Sequence, residues 1–225
     1  MTIAALLLPF ALMQAAPAPA PAGESRFERC VASIEADAAA AYETAMSWAA
    51  EGHALDAYRC AAFALLAQER YEEAARRFQN LAEMINPALT GAQAELFSQA
   101  GNTWLLAHEP SLARSAFTRG VVIMEREPAQ LPDLLVDRAR AYAMEGNYRS
   151  AEEDLSRALD IRPQDTLALR LRASARMHQS AFDLAEADAL QSLALADTEG
   201  EQVGAALILG HVRESKRTGT PVEEQ

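Results

Sequence analysis

The sequence is poor in β-branched and aromatic residues. Its 225 residues include only 7 Val and 6 Ile, against 50 Ala and 27 Leu, and 6% of the chain is aromatic. Because Ala and Leu lose little conformational freedom in a helix while β-branched side chains lose χ1 freedom, this composition favours helices and argues against a large β-sheet. Half of the residues are hydrophobic, so the chain can bury a core.

Basic residues and cysteines are also scarce. The chain has 20 Lys and Arg against 32 Asp and Glu, a formal net charge of −12. Nucleic acid is therefore excluded as a partner, because binding phosphates requires clustered positive charge. Two cysteines are too few for a disulfide-dense mini-domain or a four-thiolate zinc site.

Motifs of catalysis and metal binding are missing as well. None of the four histidines has a second His or a Cys at metal-ligand spacing. The chain contains no GxSxG, P-loop or HExxH motif. We therefore predict a protein that is not an enzyme, with no catalytic residues, no metal and no cofactor.

An apolar run of eleven residues, IAALLLPFALM, lies close to the N-terminus. It is too short for a membrane-spanning helix, which needs about 20 residues, but it suits the h-region of a signal peptide. Alternating Ala and Pro follow, and cleavage after Ala15 or Ala22 fits the small residues there. We predict that residues 1–22 are a signal peptide, that the mature protein is periplasmic or secreted, and that it has no membrane span after cleavage.

A repeated pattern of small and large apolar residues fills the rest of the chain. In residues 132–163, with Pro132 as position 1, small residues occupy positions 8 and 20 and large apolar residues positions 4, 11 and 24. Each half has the spacing of an amphipathic helix, and Gly146-Asn147 marks a turn between the two. The same frame recurs from residues 55, 94 and 166, which indicates helix-turn-helix units in series.

This pattern resembles the tetratricopeptide repeat (TPR) family. The resemblance implies an all-α helix-turn-helix solenoid, a right-handed superhelix of about eleven helices. Together with the predicted signal peptide, it indicates an exported bacterial TPR protein. The four predicted repeats, numbered 1 to 4 below, span residues 55–88, 94–127, 132–165 and 166–199.

The segments on either side of the repeats allow alternatives. Residues 23–53 form N-terminal helices or a degenerate repeat whose frame starts at residue 38. Residues 200–216 form a capping helix, or a self-association surface that would make the protein a homodimer. Residues 217–225 are predicted to be a disordered tail.

Cys30 and Cys60 lie on the first and third predicted helices. In an oxidising compartment they can form a disulfide. The alternative is a pair of buried thiols that pack as small apolar side chains.

The TPR resemblance also implies a concave groove that binds a peptide or helix of a partner protein. The first helix of each repeat lines this groove. The predicted groove residues are Ser98, Asn102, Leu105, Val136, Arg140, Met144, Arg170, Ser174 and Met177. The predicted function is a non-catalytic scaffold or adaptor of the bacterial periplasm; the alternative is a self-associating structural envelope protein that uses its C-terminal helix.

Arg140 and Arg170 occupy groove positions in adjacent repeats. The first helices of consecutive repeats lie roughly 10 Å apart. Two guanidinium groups at that spacing can hold one acidic partner through bidentate hydrogen bonds. The alternative is that each Arg pairs with a local carboxylate, such as that of Asp137 or Asp133.

Overall fold

A computed structural model describes residues 25–52, 54–125 and 130–222. In these ranges the regular secondary structure consists of eleven α-helices and no strand, as predicted. The helices are α1 (Arg26–Ile34), α2 (Ala38–Ala50), α3 (Ala54–Ala67), α4 (Tyr71–Met84), α5 (Thr90–Leu106), α6 (Pro110–Met124), α7 (Leu131–Met144), α8 (Tyr148–Ile161), α9 (Thr166–His178), α10 (Phe182–Leu195) and α11 (Glu199–Thr218).

Repeats 1 to 4 are the helical hairpins α3–α4, α5–α6, α7–α8 and α9–α10. Each helix packs against the helices before and after it, and the first helices also contact one another, α5 with α7 and α7 with α9. The predicted all-α solenoid is confirmed.

Each hairpin turns at one residue with left-handed backbone geometry. These residues occupy position 15 of repeats 1 to 4 and have φ between 56° and 72°: Glu69, His108, Gly146 and Ser180. The next residue donates its N–H to the carbonyl of position 11, as Asn147 does to Tyr142 at 2.8 Å, which satisfies a carbonyl at the helix end. The frame therefore imposes this geometry even where the residue is not glycine.

Small residues let the two helices of a hairpin cross closely. In repeat 2, a Cβ on Gly101 would lie 2.5 Å from a ring carbon of Phe117, so only glycine fits at this crossing. In repeat 3, the small residues at positions 8 and 20, Ala139 and Ala151, are fully enclosed.

Buried ion pairs join the two helices of repeats 3 and 4. Arg138 on α7 donates two hydrogen bonds to the Asp154 carboxylate on α8, both 2.7 Å long. Arg172 on α9 makes the same bidentate contact with Asp188 on α10, at 2.9 and 2.8 Å. Asp154 and Asp188 are each only 4% exposed, so the guanidinium groups replace the water around their carboxylates.

Each of these arginines also reaches back to the preceding repeat. Nη1 of Arg138 donates to the Thr118 hydroxyl at 3.4 Å, and Nη1 of Arg172 donates to the Ser156 hydroxyl at 3.2 Å. The ion pairs thus connect neighbouring repeats as well as the helices within one repeat.

At the N-terminal end, α3 takes part in two hairpins. Gly52, between α2 and α3, has φ 94° and is position 15 of the frame that starts at residue 38. Glu69, between α3 and α4, is position 15 of the frame that starts at residue 55. The two registers that the sequence leaves open therefore both describe turns that are present.

Helix α1 packs against α2 and α3. Cys30 on α1 and Cys60 on α3 form a disulfide bond, with Cα atoms 6.2 Å apart. Both cysteines are buried in a cluster with Trp48 of α2. The disulfide therefore attaches the nine-residue helix α1 to the first hairpins.

Helix α11 covers the open end of repeat 4. Its start is capped in both directions, because Glu201 donates its N–H to the Thr198 hydroxyl and accepts the Thr198 N–H on its carboxylate. Its buried face, which includes Ile208 and Val212, packs against α9 and α10 in one apolar cluster.

The end of α11 corrects the predicted boundary of the tail. The helix continues through Arg217 and Thr218, and Gly219 ends it with φ 77°. Beyond it, Val222 donates its N–H to the Ser215 hydroxyl at 2.9 Å. Residues up to 222 therefore pack back on the helix, because the left-handed glycine reverses the chain.

The predicted signal peptide, 1–22, with its two cleavage sites, lies outside the described residues. Among the helices that are described, none is both long and apolar enough to cross a membrane.

Candidate functional site

The first helices of repeats 2 to 4 and helix α11 lie side by side and form one face, the inner face. This face carries the predicted groove residues. Six of the nine have exposed or half-buried side chains: Ser98, Asn102, Arg140, Met144, Arg170 and Ser174.

The other three predicted groove residues are buried, which corrects their assignment to the surface. Leu105 and Val136 belong to the main apolar core, where neighbouring repeats cover them. Met177 is fully enclosed, because α11 packs against its side of α9.

A polar network occupies the inner face where repeats 2 and 3 meet. Asp137 on α7 accepts hydrogen bonds from Asn102 Nδ2 at 3.0 Å and from the Ser98 hydroxyl at 3.4 Å, both on α5. Arg140 Nη1 donates to Asp137 Oδ1 at 3.4 Å and to Asn102 Oδ1 at 3.3 Å. Four side chains from two repeats thus satisfy one another.

Asp137 is the electrostatic centre of this network. Burial raises the pKa of its carboxyl above the ordinary value, and the hydrogen bonds from Asn102, Arg140 and Ser98 only partly oppose that shift. Keeping this partly buried carboxyl in its charged form therefore costs free energy in the folded protein.

Arg140 pairs with a nearby carboxylate, which is the alternative to binding a partner that the sequence leaves open. Its side chain is bound to Asp137 and Asn102, so the expected pair of free guanidinium groups, Arg140 and Arg170, is not present. Because Asp137 is only three residues away on the same helix, this contact forms without any partner.

Arg170 on α9 is different, because its guanidinium makes no hydrogen bond and no ion pair with any residue of the described ranges. It lies against the backbone of α11, where a Cβ added to Gly204 would be 1.9 Å from Arg170 Nη1. A side chain at position 204 would therefore displace the guanidinium, whereas a Cβ at Gly210 of the same helix would meet open space.

A groove of about 320 Å³ surrounds Arg170 between α9 and α11. Its walls are mostly apolar, with Ser174 and His211 as further polar groups. The remaining lining residues are Leu171, Gly204, Leu207 and Ile208. A charged donor in an apolar groove of this size can hold a carboxylate beside an apolar side chain.

Five of the seven lining residues are not among the predicted groove residues: Leu171 on α9, and Gly204, Leu207, Ile208 and His211 on α11. The spacing of three and four residues between Gly204, Leu207 and His211 places these three on one helical face. The spacing can be read from the sequence, but the sequence does not show that this face of α11 lies beside α9.

No group of three or more His, Cys, Asp or Glu side chains able to hold a metal ion occurs in the parts of the chain that the structure describes.

The sequence matches no protein-family model and no curated protein. Among solved structures, the chain is similar to MamA, with a TM-score of 0.63 at 13% identity over 76% of this chain and 95% of that chain. It is also similar to YrrB, described as a TPR protein with an unusual peptide-binding site, with a TM-score of 0.60 at 18% identity over 80% of this chain and 86% of YrrB. BtubC from P. vanneervenii matches with a TM-score of 0.58 at 14% identity over 87% of this chain and 85% of BtubC. At these identities the likenesses show the fold, a TPR solenoid.

Proposed function

We propose that this protein is a non-catalytic interaction module that binds a peptide or helix of a partner protein along its inner face. The observation that carries the proposal is Arg170, whose unpaired guanidinium lies in an apolar groove between α9 and α11. The partner segment carries an acidic side chain or a carboxylate for Arg170 and an apolar side chain for the groove walls.

The charge distribution supports this role for Arg170. Acidic residues outnumber basic ones by 32 to 20. Arginines elsewhere on the first helices pair with nearby carboxylates, Arg140 with Asp137 and Arg138 with Asp154. A guanidinium that the fold leaves without a carboxylate is available for a partner's carboxylate, with which it forms a bidentate pair.

The likeness to YrrB supports the same function by analogy of fold. That protein is described as having a peptide-binding site, and its solenoid covers 80% of this chain. Repeat solenoids present extended surfaces that suit such binding.

We further propose that the protein acts in the bacterial periplasm or is secreted. The apolar run IAALLLPFALM and the Ala/Pro segment behind it support export. The Cys30–Cys60 disulfide is consistent with an oxidising compartment. The intact mass of the protein isolated from its native host tests this, since an exported chain lacks its first 15 or 22 residues.

Self-association is the second candidate function, because α11 exposes two apolar side chains at a spacing of four residues. Val203 is 62% exposed and Leu207 is 59% exposed. Val203→Glu should then convert a dimer into a monomer in sedimentation velocity. A wild-type protein that is already monomeric would contradict this candidate.

Selection of peptides from a displayed library of random 12-residue sequences tests the interaction module. The selected peptides should combine Asp or Glu with an apolar neighbour, and added salt should weaken their binding. Arg170→Gln should raise their Kd at least tenfold, because the charged partner of the carboxylate is lost.

A glycine pair in α11 supplies the matched control. Gly204→Ala should weaken the same peptides as much as Arg170→Gln does, since the added Cβ displaces the guanidinium. Gly210→Ala adds the same methyl group to the same helix at an open position and should leave the Kd unchanged. Peptides that bind equally well to all three variants would overturn the proposal.

A further inference from the structure

A second groove, of about 480 Å³, lies between α2 and α4. It shares no lining residue with the groove around Arg170. Met46 of α2, Tyr58 of α3 and Leu81 and Met84 of α4 supply its apolar lining, and Glu73, Arg76, Arg77 and Asn80 of α4 supply its polar groups. We call it the outer groove, since none of its lining residues lies on the helices of the inner face.

Arg77 is the unusual residue of the outer groove. It occupies position 23 of repeat 1, where repeats 3 and 4 have the buried carboxylates Asp154 and Asp188. Position 7 of repeat 1 is an alanine, Ala61, so the arginine–aspartate pair of the later repeats cannot form here.

The direct contacts of Arg77 are all with neutral groups. Nη2 donates to the Tyr42 hydroxyl at 3.2 Å, Nη1 lies 3.5 Å from the Met46 sulfur, and the guanidinium carbon lies 5.6 and 5.5 Å from the ring centres of Tyr42 and Tyr58. Within the described residues, no carboxylate comes within 4 Å of it.

Two acidic side chains of α4 are hydrogen-bonded to other arginines, although Glu73 also interacts with Arg77 electrostatically. Glu73 accepts two hydrogen bonds from Arg70, at 2.9 and 2.6 Å, and Glu72 accepts one from Arg76 at 2.6 Å. Of the three charged residues that line the groove, Glu73 and Arg76 are each hydrogen-bonded to an opposite charge, and Arg77 is not.

The walls of the outer groove are suited to an apolar side chain. Met84 is 71% exposed, more than any other large apolar residue in the described ranges. Met46 faces it from α2 across the groove. Flexible thioether side chains can adapt to apolar groups of different shape.

We propose that the outer groove binds an acidic segment of a partner protein, with an Asp or Glu carboxylate on Arg77 and an adjacent apolar side chain between Met46 and Met84. This site is separate from the inner-face site, and the test of one does not depend on the outcome of the test of the other.

Methyl NMR on protein labelled with 13C-methyl methionine tests this site, in the Arg170→Gln background so that the inner groove does not contribute. The probe is the blocked tripeptide acetyl-Leu-Glu-Leu-amide. It should shift the Met46 and Met84 methyl signals and leave that of Met144, on the inner face, in place. The uncharged peptide acetyl-Leu-Gln-Leu-amide should bind at least tenfold more weakly.

Two variants separate binding from structure. Arg77→Gln should abolish the shifts, whereas Arg149→Gln, which removes an exposed arginine on α8, should not. Because Arg77 also joins α2 to α4, Met84→Glu provides a second test: it places a negative charge at the groove mouth without removing a buried contact, and should abolish the shift of the Met46 methyl signal at an unchanged Tm. Equal shifts with both peptides, or a Met46 shift that persists in Met84→Glu, would overturn the proposal.

Discussion

Repeats 2 and 3 are built on the same frame but are joined by different chemistry at positions 7 and 23. In repeat 2 these positions are Ala100 and Ala116, both buried. In repeat 3 they are Arg138 and Asp154, which form a buried bidentate ion pair. The helical hairpin and its left-handed turn are the same in both.

The difference shows that the frame specifies where two helices approach, not what fills the space between them. Two alanines allow close packing without polar groups. An arginine and an aspartate fill a larger space, and they stabilise the hairpin only as long as both are present, because either alone would be a buried uncompensated charge. The comparison can be tested at four points, from the largest expected effect to the smallest.

Removing one partner of the ion pair should have the largest effect. Asp154→Ala leaves the Arg138 guanidinium buried without its carboxylate and should lower the free energy of unfolding by about 3–5 kcal/mol. Urea denaturation measures the change. The double variant Arg138→Met with Asp154→Leu, which makes repeat 3 apolar like repeat 2, should be more stable than Asp154→Ala. Equal stability of the two variants would contradict this account of the pair.

At the N-terminal end, a disulfide bond between α1 and α3 joins two helices, as the ion pairs do in repeats 3 and 4. It closes a loop between residues separated by 30 positions, and reducing it should lower the free energy of unfolding by about 3 kcal/mol. Unfolding with and without reductant measures the loss, and Cys30→Ser with Cys60→Ser should reproduce it. Two thiols that label in the denatured, unreduced protein would show that the bond does not form.

The free energy of unfolding should depend on pH through Asp137, which lies at the junction of repeats 2 and 3. Burial raises its pKa, so the folded chain still holds a proton on this carboxyl where the unfolded chain has lost it. The free energy of unfolding should therefore fall as the pH rises from the ordinary carboxyl pKa to the raised one. Asp137→Asn removes this fall, so its stability relative to wild type should increase from pH 4 to pH 7. A constant difference would contradict the assignment.

The turn of repeat 2 should give the smallest effect. His108 adopts φ 56° where repeat 3 has Gly146, and a left-handed backbone is strained for any residue with a Cβ. His108→Gly should raise the free energy of unfolding by about 0.5–1 kcal/mol, and Gly146→Ala should lower it by a similar amount. Thermal unfolding followed by circular dichroism measures both, and changes of the opposite sign would show that the turn residue is not strained.

Much of the fold can be predicted from spacing because it depends on short-range regularities. Position 15 marks the left-handed turn in all four repeats, whether the residue is Gly146 or Glu69. The small residues at positions 8 and 20, such as Ala139 and Ala151, identify the helix crossings. Arg138 and Arg172 are 34 residues apart, and so are Asp154 and Asp188. This repeated spacing in the sequence marks the residues that form the ion pairs.

The candidate sites are less predictable, because their residues lie far apart in the chain. Arg140 and Arg170 both occupy groove positions of the repeat frame, at positions 9 and 5, yet Arg140 meets Asn102 of the preceding repeat and Arg170 faces Gly204 of α11. Arg77 looks like an ordinary member of a charged helix until α2 is placed beside α4.

The sequence by itself determined the helices, their turns and the order in which they stack, because these follow from apolar periodicity and from small residues at fixed positions within about 34 residues. Only the tertiary structure decided which of those positions reach a partner. Met177 is covered by α11 and Arg170 is not paired, because exposure and charge compensation depend on the neighbours that packing supplies.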